Sequence, residues 1–154
     1  MDAEAREAPR IVKGVLDLRG WDFDQDGPIS LRGEAEFYWE RFIDPGLNHP
    51  DGEVSPAYID VSGGWQKSGF SKYGQASYRI RIVSNKPVLL AFDKFWLEQE
   101  ARLFVNNQLL KESIRNKAGK IAYPFLEPIS IASQALANYD IVLHIENHDF
   151  YLGG

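Results

Sequence analysis

The chain has 154 residues, 44% of them hydrophobic and 25% charged, which is typical of one soluble globular domain with its own core. Its formal net charge of −5 argues against a nucleic-acid partner, because neutralising phosphates requires a concentrated basic face. The absence of cysteine excludes disulfides, thiol nucleophiles and cysteine-ligated zinc, and no apolar run reaches the roughly 20 residues that a membrane helix needs.

In chain order, residues 1–9 are polar, and the pattern of the remaining sequence predicts a series of short strands. Residues 1–9 contain no signal-peptide-like apolar stretch, so we interpret them as a polar leader or an expression start. Residues 10–154 are predicted to form a single domain without repeats or linkers. Strands are predicted near 12–18, 35–42, 58–62, 76–83, 87–92, 101–105, 121–126 and 140–147.

Alternation of apolar and polar residues assigns faces to two of these strands. In 76–83 the even-numbered positions (Ala76, Tyr78, Ile80, Ile82) are predicted to point inward, and Ser77, Arg79 and Arg81 to form a solvated outer face. In 140–147 the inward side chains are Ile141, Leu143 and Ile145, and the outward ones are His144 and Glu146.

Turn signals separate the strands at 26–28, 44–46, 62–64, 84–87 and 106–108. Only residues 130–138 suggest a helix, and a short one. Many short strands with frequent turns predict an all-β fold, an antiparallel β-sandwich of about eight strands.

The stretch DFDQDG raises the question of a metal site, because Asp22, Asp24 and Asp26 alternate before a glycine as in an EF-hand loop. The twelfth position counted from Asp22 is Gly33 rather than a bidentate glutamate, and the flanking segments are strand-like. A plain turn between strands is therefore favoured, and a calcium ion held by one or two of these aspartates in a sandwich loop is the alternative.

No constellation of catalytic residues is recognisable. The three histidines are His49, His144 and His148; the last two are four apart, but the spacing does not align ligands on a strand as it would on a helix. There is no GxSxG, GxGxxG or P-loop pattern. We therefore expect a domain without enzymatic activity and without a cofactor.

The aromatic residues suggest a ligand surface, because aromatic rings stack on sugar faces as well as filling cores. Trp39 is assigned to the core and Trp21 to packing beside a turn. Three aromatic residues in loops and two polar residues after the last strand are the predicted ligand-binding residues, although for the polar pair a turn that closes the sheet is the favoured interpretation. The set is Trp65, Tyr73, Trp96, Asn147 and Asp149.

Three arginines form a further pattern. Arg79 and Arg81 share one strand face, and Arg102 lies on a neighbouring strand. They are either an anionic-ligand patch or a solvated face balanced by Glu98 and Glu100, and the solvated face is favoured.

Six segments occur in an order that resembles a known family: GVLDLRGWDF, GPISLRGEAEFYW, YIDVSGGWQ, YGQASYRIRI, ARLFVNN and DIVLHIENHDFYLGG. They resemble the extracellular galactose-binding-like jelly-roll domains of bacterial seven-transmembrane receptors with diverse intracellular signalling modules. Ala35 stands where that family commonly has Trp, and Asn107 where it has Gly, although Asn tolerates the same left-handed conformation. The series is also similar to the N-terminal sugar-binding sandwich of the β-galactosidase and β-glucuronidase family.

The receptor resemblance implies an extracytoplasmic sensor module that binds a small ligand, expected to be a carbohydrate. It implies the chain's own transmembrane domain as a partner and a cyclase, phosphatase or kinase as the output. The second resemblance implies a non-catalytic accessory domain of a glycoside hydrolase. A structural or homodimer-forming module is the third hypothesis, since fold-level analogy does not establish sugar binding.

Overall fold

A computed structural model of the chain describes residues 6–48, 54–92, 99–115, 117–118, 121–122 and 129–148. The strands are β1 Ile11–Val12, β2 Val15–Asp17, β3 Glu34–Trp39, β4 Ala57–Asp60, β5 Gly74–Val88, β6 Ala91–Phe92, β7 Glu100–Val105, β8 Gln108–Arg115, β9 Ile121–Ala122, β10 Ile129–Ser130 and β11 Leu136–Asn147. One helical turn, α1, covers Phe23–Asp26, and a 3-10 turn covers Trp65–Ser68. In this part of the chain no helix is long and apolar enough to cross a membrane.

The long strands β5 and β11 form the centre of the main sheet. The sheet runs β1-β2-β5-β11-β7-β8-β9, and β3 pairs with both β5 and β4. A small second sheet pairs β6 with β10. Every pairing is antiparallel except that of β2 with β5. The predicted all-β sandwich is confirmed, with more strands than expected because several are only two or three residues long.

One face of β5 and β11 builds the main core, as the alternation predicted. Along β5 the side chains from Ala76 to Ile82 at even positions are at most 9% exposed. They lie opposite the apolar residues of β11, for example Ile80 opposite Ile141 and Ala76 opposite Ile145. Phe37 and Leu103 extend this face onto β3 and β7.

The opposite face is also buried, so the predicted solvated outer face is wrong. Ser77, Arg79 and His144 are 0%, 1% and 8% exposed. The segment 40–48 crosses this face and contributes Ile43, which packs with Tyr38 and Val142 in a second, smaller core. Alternation in one strand cannot reveal such a cover, because the covering segment belongs to a different part of the chain.

Arg79 and Arg81 hold this covering segment in place. Arg79 donates from Nε to Asp140 Oδ1 at 2.9 Å and from NH1 to the Leu47 carbonyl at 2.6 Å. Arg81 donates to Glu36 Oε1 at 2.8 Å and to the Asn48 carbonyl at 2.7 Å.

Arg102 is paired as well, with Glu112 at 2.6 Å. Arg79 and Arg81 therefore have structural roles, and Arg79 is buried rather than solvated, whereas the side chain of Arg102 is 43% exposed.

Two further predictions failed at the carboxyl-terminal end of β5. Residues 130–138 contain no helix, because Leu136 pairs with Val88 and β11 begins there. Residues 84–87 do not form a separate turn but lie within β5, where the six residues Val83–Val88 lie opposite the three residues Leu136–Asn138. The turn-forming sequence supplies the extra residues of this irregularity.

The predicted turn at 106–108 is confirmed as the hairpin between β7 and β8. Asn106 and Asn107 both adopt positive φ, at 48° and 65°. Two successive left-handed residues are the requirement of a type I′ turn, and asparagine meets it at low cost.

Candidate functional site

The five predicted ligand residues fall into three groups. Trp96 and Asp149 lie outside the described residues. Trp65 and Asn147 are buried, at 0% and 1% exposure. Tyr73 is exposed, at 46%.

Trp65 is a core residue, so its predicted role as an exposed ligand platform is wrong. The 3-10 turn Trp65–Ser68 follows the glycines of the turn at 62–64, and the indole of its first residue, Trp65, is fully buried. The Trp65 ring meets Trp39 edge-on with centroids 5.3 Å apart, and Phe37 lies 6.0 Å away. Trp39 itself packs against this core, as predicted. Trp65 Nε1–H donates to the Ser71 carbonyl at 2.7 Å.

Asn147 supports the same loop from the other side. It is the last residue of β11 and lies opposite Gly74. Its buried amide Nδ2 donates to the Lys72 carbonyl at 2.6 Å. Asn147 therefore does not present its side chain to solvent, and its described contact is with the backbone of the loop.

These two contacts define a braced segment, residues 69–73, which we call the Tyr73 loop. Phe70 anchors it to the core, with its ring centroid 4.8 Å from that of Phe37. The Tyr73 backbone N–H donates to Ser71 Oγ at 3.3 Å. The Lys72 ammonium lies 4.9 Å from the centroid of the exposed Tyr73 ring. The loop thus presents an aromatic face and a phenol on a supported backbone, which can stack on a sugar and exchange hydrogen bonds with it.

The acidic triplet Asp22, Asp24 and Asp26 forms the cap and part of one helical turn, rather than the predicted plain turn between strands. Asp22 caps α1, and its Oδ1 accepts the Asp24 N–H at 3.0 Å. Asp26 Oδ2 accepts the Asp22 N–H at 2.9 Å and lies 3.7 Å from Arg6. Gly27 adopts a φ of 85°, as the turn prediction required. Within the described part of the chain these three carboxylates do not converge into a group that could hold a metal ion.

Arg6 also shows that part of the segment 1–9 contacts the domain. Its guanidinium donates to the Gly20 carbonyl and lies 5.8 Å from the ring centroid of Trp21. Trp21 in turn donates from Nε1 to the Gly27 carbonyl at 3.1 Å, which is a packing role.

A second feature, which sequence reasoning missed, is a small cleft over β7, β8 and β11. Its volume is about 40 Å³, which is room for a few water molecules. Its lining residues are Phe42, Glu100, Ala101, Arg102, Ser113, Ile114, His144 and Glu146. The sequence shows polar residues at alternate positions of β7 and β11. This pattern does not reveal which of them lie opposite each other, because it does not fix the register between the two strands.

His144 is a buried residue in the lining of this cleft. Its ring stacks on Phe42 with centroids 4.7 Å apart, and its Nε2 lies 2.8 Å from the Ile43 carbonyl. Burial lowers the pKa of His144 from its ordinary value of 6.5, and the nearby Arg102 charge acts in the same direction, although the bond to Ile43 opposes them.

At the rim of the cleft, Glu100, Glu146 and His148 come together. One ligand atom from each lies within 4.8 Å of the others. Glu100 and Glu146 are partly buried and His148 is exposed.

Comparison with known proteins shows what fold this is. No protein-family model matches the chain, and no curated protein does. Among solved structures, the β-glucuronidase of Faecalibacterium prausnitzii is 19% identical, with a TM-score of 0.53 over 79% of this chain and 21% of that chain. A GH2 β-galacturonidase from Eisenbergiella tayi bound to galacturonate is 16% identical, with a TM-score of 0.45 over 77% of this chain and 18% of that chain. The likeness to the first establishes a shared fold.

The chain spans about a fifth of the length of these solved proteins. The shared fold therefore does not show that this domain has the activity of those proteins.

Proposed function

We propose that this chain is a non-catalytic β-sandwich module of a carbohydrate-active protein, and that it binds sugar through the Tyr73 loop. The observation that carries the proposal is the exposed Tyr73 ring on a loop braced by Trp65 and Asn147. Support comes from the β-glucuronidase chain, of which a segment about the size of this domain has the same fold.

The bracing matters because it reduces the cost of binding. A loop whose backbone is already held by two buried side chains loses little conformational freedom when a ligand arrives. A tyrosine ring adds contact area with only two side-chain torsions to fix.

Catalysis at the cleft is not part of this proposal. A carboxylate oxygen of Glu100 lies within 4.8 Å of one of Glu146, and paired carboxylates of retaining glycosidases lie about 5–5.5 Å apart. However, the cleft holds about 40 Å³, whereas small-molecule sites are about 300 Å³ or larger. The cleft is therefore much smaller than the sites that usually hold a small molecule.

The test is a thermal-unfolding screen of the purified chain against mono- and oligosaccharides, including glucuronic and galacturonic acid, each with calcium and with a chelator. A ligand at a hundred times its dissociation constant adds about 2.7 kcal/mol to the free energy of unfolding. For a domain of this size that is a rise in Tm of roughly 5–11 °C. We expect such a rise for at least one sugar and its loss in Tyr73→Ala.

The matched control is Tyr58→Ala, because Tyr58 has similar exposure, 41%, but lies on the edge strand β4. Tyr58→Ala should keep the sugar-dependent rise. If no sugar raises Tm in the wild-type chain, or if both variants keep the rise, the Tyr73 loop is not a sugar site.

The sensor role implied by the receptor resemblance is a second proposal. It rests on the order of the six motifs, the last of which runs into residues outside the described part. It would place this domain outside the cytoplasm, ahead of its own membrane spans. The complete reading frame separates the two proposals, because a receptor continues into seven apolar spans and a hydrolase continues into a soluble catalytic domain.

A further inference from the structure

Glu40 is an exposed acidic residue with an unusual backbone conformation. It directly follows β3 and adopts a φ of 59°, in the left-handed region that glutamate rarely occupies. Its N–H donates to the Gln75 carbonyl at 2.8 Å, which holds this conformation against the start of β5. Within the described part of the chain, the Glu40 carboxylate accepts no hydrogen bond and forms no ion pair. No polar contact of the side chain with these residues therefore accounts for the strain.

The space above Gly74 places this carboxylate beside the Tyr73 loop. A Cβ at residue 74 would lie 2.7 Å from Glu40 Oε1 and 2.5 Å from Cη2 of the Trp39 ring. Glycine at this position leaves room for both groups. The Glu40 carboxylate and the Trp39 indole thus lie directly against the residue that follows Tyr73 in the chain.

Packing fixes the positions of the two segments that carry Glu40 and Tyr73. The Trp39 ring, which precedes Glu40, lies 5.3 Å from the ring of Phe70, the anchor of the Tyr73 loop. Both segments are therefore attached to one aromatic core. The Tyr73 hydroxyl makes no hydrogen bond to any described residue. An aromatic ring, a phenol and a carboxylate are thus presented to solvent from a supported backbone.

We propose that Glu40 is a second sugar-binding residue beside the Tyr73 loop, and that it selects neutral sugars over uronic acids. This inference rests on the proposed function of the loop. A carboxylate only accepts hydrogen bonds, and its two oxygens suit two adjacent hydroxyl groups of a sugar that is stacked on Tyr73. The carboxylate of a uronic acid is repelled by Glu40, because the two groups carry the same charge.

Lys72 would favour the opposite selection, because its ammonium lies 4.9 Å from the centroid of the Tyr73 ring. The relative affinity for neutral and acidic sugars therefore shows which of the two charges meets the ligand.

The test is isothermal titration with the methyl β-glycosides of glucose, galactose, glucuronic acid and galacturonic acid. The members of each neutral and acidic pair differ only at C6. We expect the neutral member of at least one pair to bind at least about threefold more tightly than its acid. Glu40→Gln keeps side-chain size but removes the charge, so it should weaken binding of that neutral sugar by about tenfold. The matched control is Glu34→Gln, which changes an exposed glutamate at the other end of β3 and should bind as the wild-type chain does.

A second variant, Glu40→Gly, separates a binding role from a structural one. Glycine adopts positive φ without a steric penalty, so the sugar-free variant should have a Tm equal to or above that of the wild-type chain while binding is weakened as in Glu40→Gln. A lower Tm would assign Glu40 a structural role and overturn the inference.

Wild-type affinity in Glu40→Gln, or tighter binding of the acids, would also overturn the inference. Either result leaves the Tyr73 loop as a sugar site if Tyr73→Ala still abolishes binding. If none of the four glycosides binds, the role of Glu40 is overturned, and the thermal-unfolding screen decides separately whether the loop binds any sugar.

Discussion

At the residue scale, Arg79 shows how burial changes the role of a charged side chain. Its guanidinium is 1% exposed, pairs with Asp140 through two nitrogens, and also reaches the Leu47 carbonyl. Every one of these bonds is made to a charged or backbone oxygen, which is the condition under which a buried charge is tolerated. The side chain therefore connects β5, β11 and the covering segment 40–48.

Substitution Arg79→Met should lower the free energy of unfolding by about 3 kcal/mol, because it leaves Asp140 without its partner. The estimate is at the low end for buried pairs, since 28% of the Asp140 side chain is exposed and water replaces part of the interaction. Urea unfolding followed by tryptophan fluorescence measures the change.

The control is Arg19→Met, whose ion pair with Asp17 is exposed and should leave the urea midpoint unchanged. Adding Asp140→Asn to Arg79→Met should recover part of the loss, because it removes the uncompensated charge. Equal midpoints for Arg79→Met and the wild-type chain would show that the pair does not stabilise the fold.

At the element scale, the short strand β1 depends on a close backbone approach. Ile11 forms a parallel bridge with Gly33, and its N–H donates to the Arg32 carbonyl at 2.7 Å. Gly33 has a φ of 110°, and a Cβ there would lie 2.1 Å from the Ile11 carbonyl oxygen. Glycine is required at this position both by φ and by space.

Substitution Gly33→Ala should therefore cost at least about 3 kcal/mol, since it adds a backbone clash to the conformational penalty of positive φ. Gly27→Ala is the matched control, because Gly27 has a φ of 85° but no atom within 4 Å of the added Cβ. It should cost about 1–2 kcal/mol, the conformational penalty alone. Urea unfolding of both variants checks the difference, and equal losses would mean that β1 moves away without cost.

At the scale of the whole molecule, the buried His144 makes stability depend on pH. Its pKa in the folded state lies below 6.5, because burial disfavours the charged ring. The unfolded chain therefore takes up this proton first. The contribution of His144 to stability is present above about pH 6.5 and is lost as pH falls from there towards its folded pKa.

Between pH 7 and pH 5 we expect the free energy of unfolding to fall, with His144 contributing at most about 1.4 kcal/mol per pH unit. His144→Gln keeps a donor towards the Ile43 carbonyl but does not titrate, so its profile should be flatter. Urea unfolding of the wild-type chain and of His144→Gln across this range checks the difference. A wild-type slope in His144→Gln would assign the dependence to other groups.

Sequence interpretation succeeded for the features of this domain that local interactions decide, and it failed for those that contacts between distant segments decide. The hairpin at Asn106–Asn107 and the inward faces of β5 and β11 were predictable, because local conformation and strand alternation decide them. The helix predicted at 130–138 was wrong, because pairing of Leu136 with Val88 outweighed local preference.

The candidate site divides in the same way. Tyr73 was predicted from its position in a glycine-flanked loop, and it is exposed. The support roles of Trp65 and Asn147 depend on contacts with residues 6 and 75 positions away along the chain, so composition did not reveal them. The meeting of Glu100 with Glu146 required the register of β7 against β11.

The sequence by itself thus determined an all-β sandwich, its principal core face and its hairpin turns, because these follow from periodicity and turn chemistry within short segments. Only the tertiary structure decided that the second face is covered by residues 40–48, that Arg79 and His144 are buried, and which side chains meet at the rim of the cleft. The physical reason is that these features come from pairings between distant segments, and the strand register that sets them is a property of the assembled sheet.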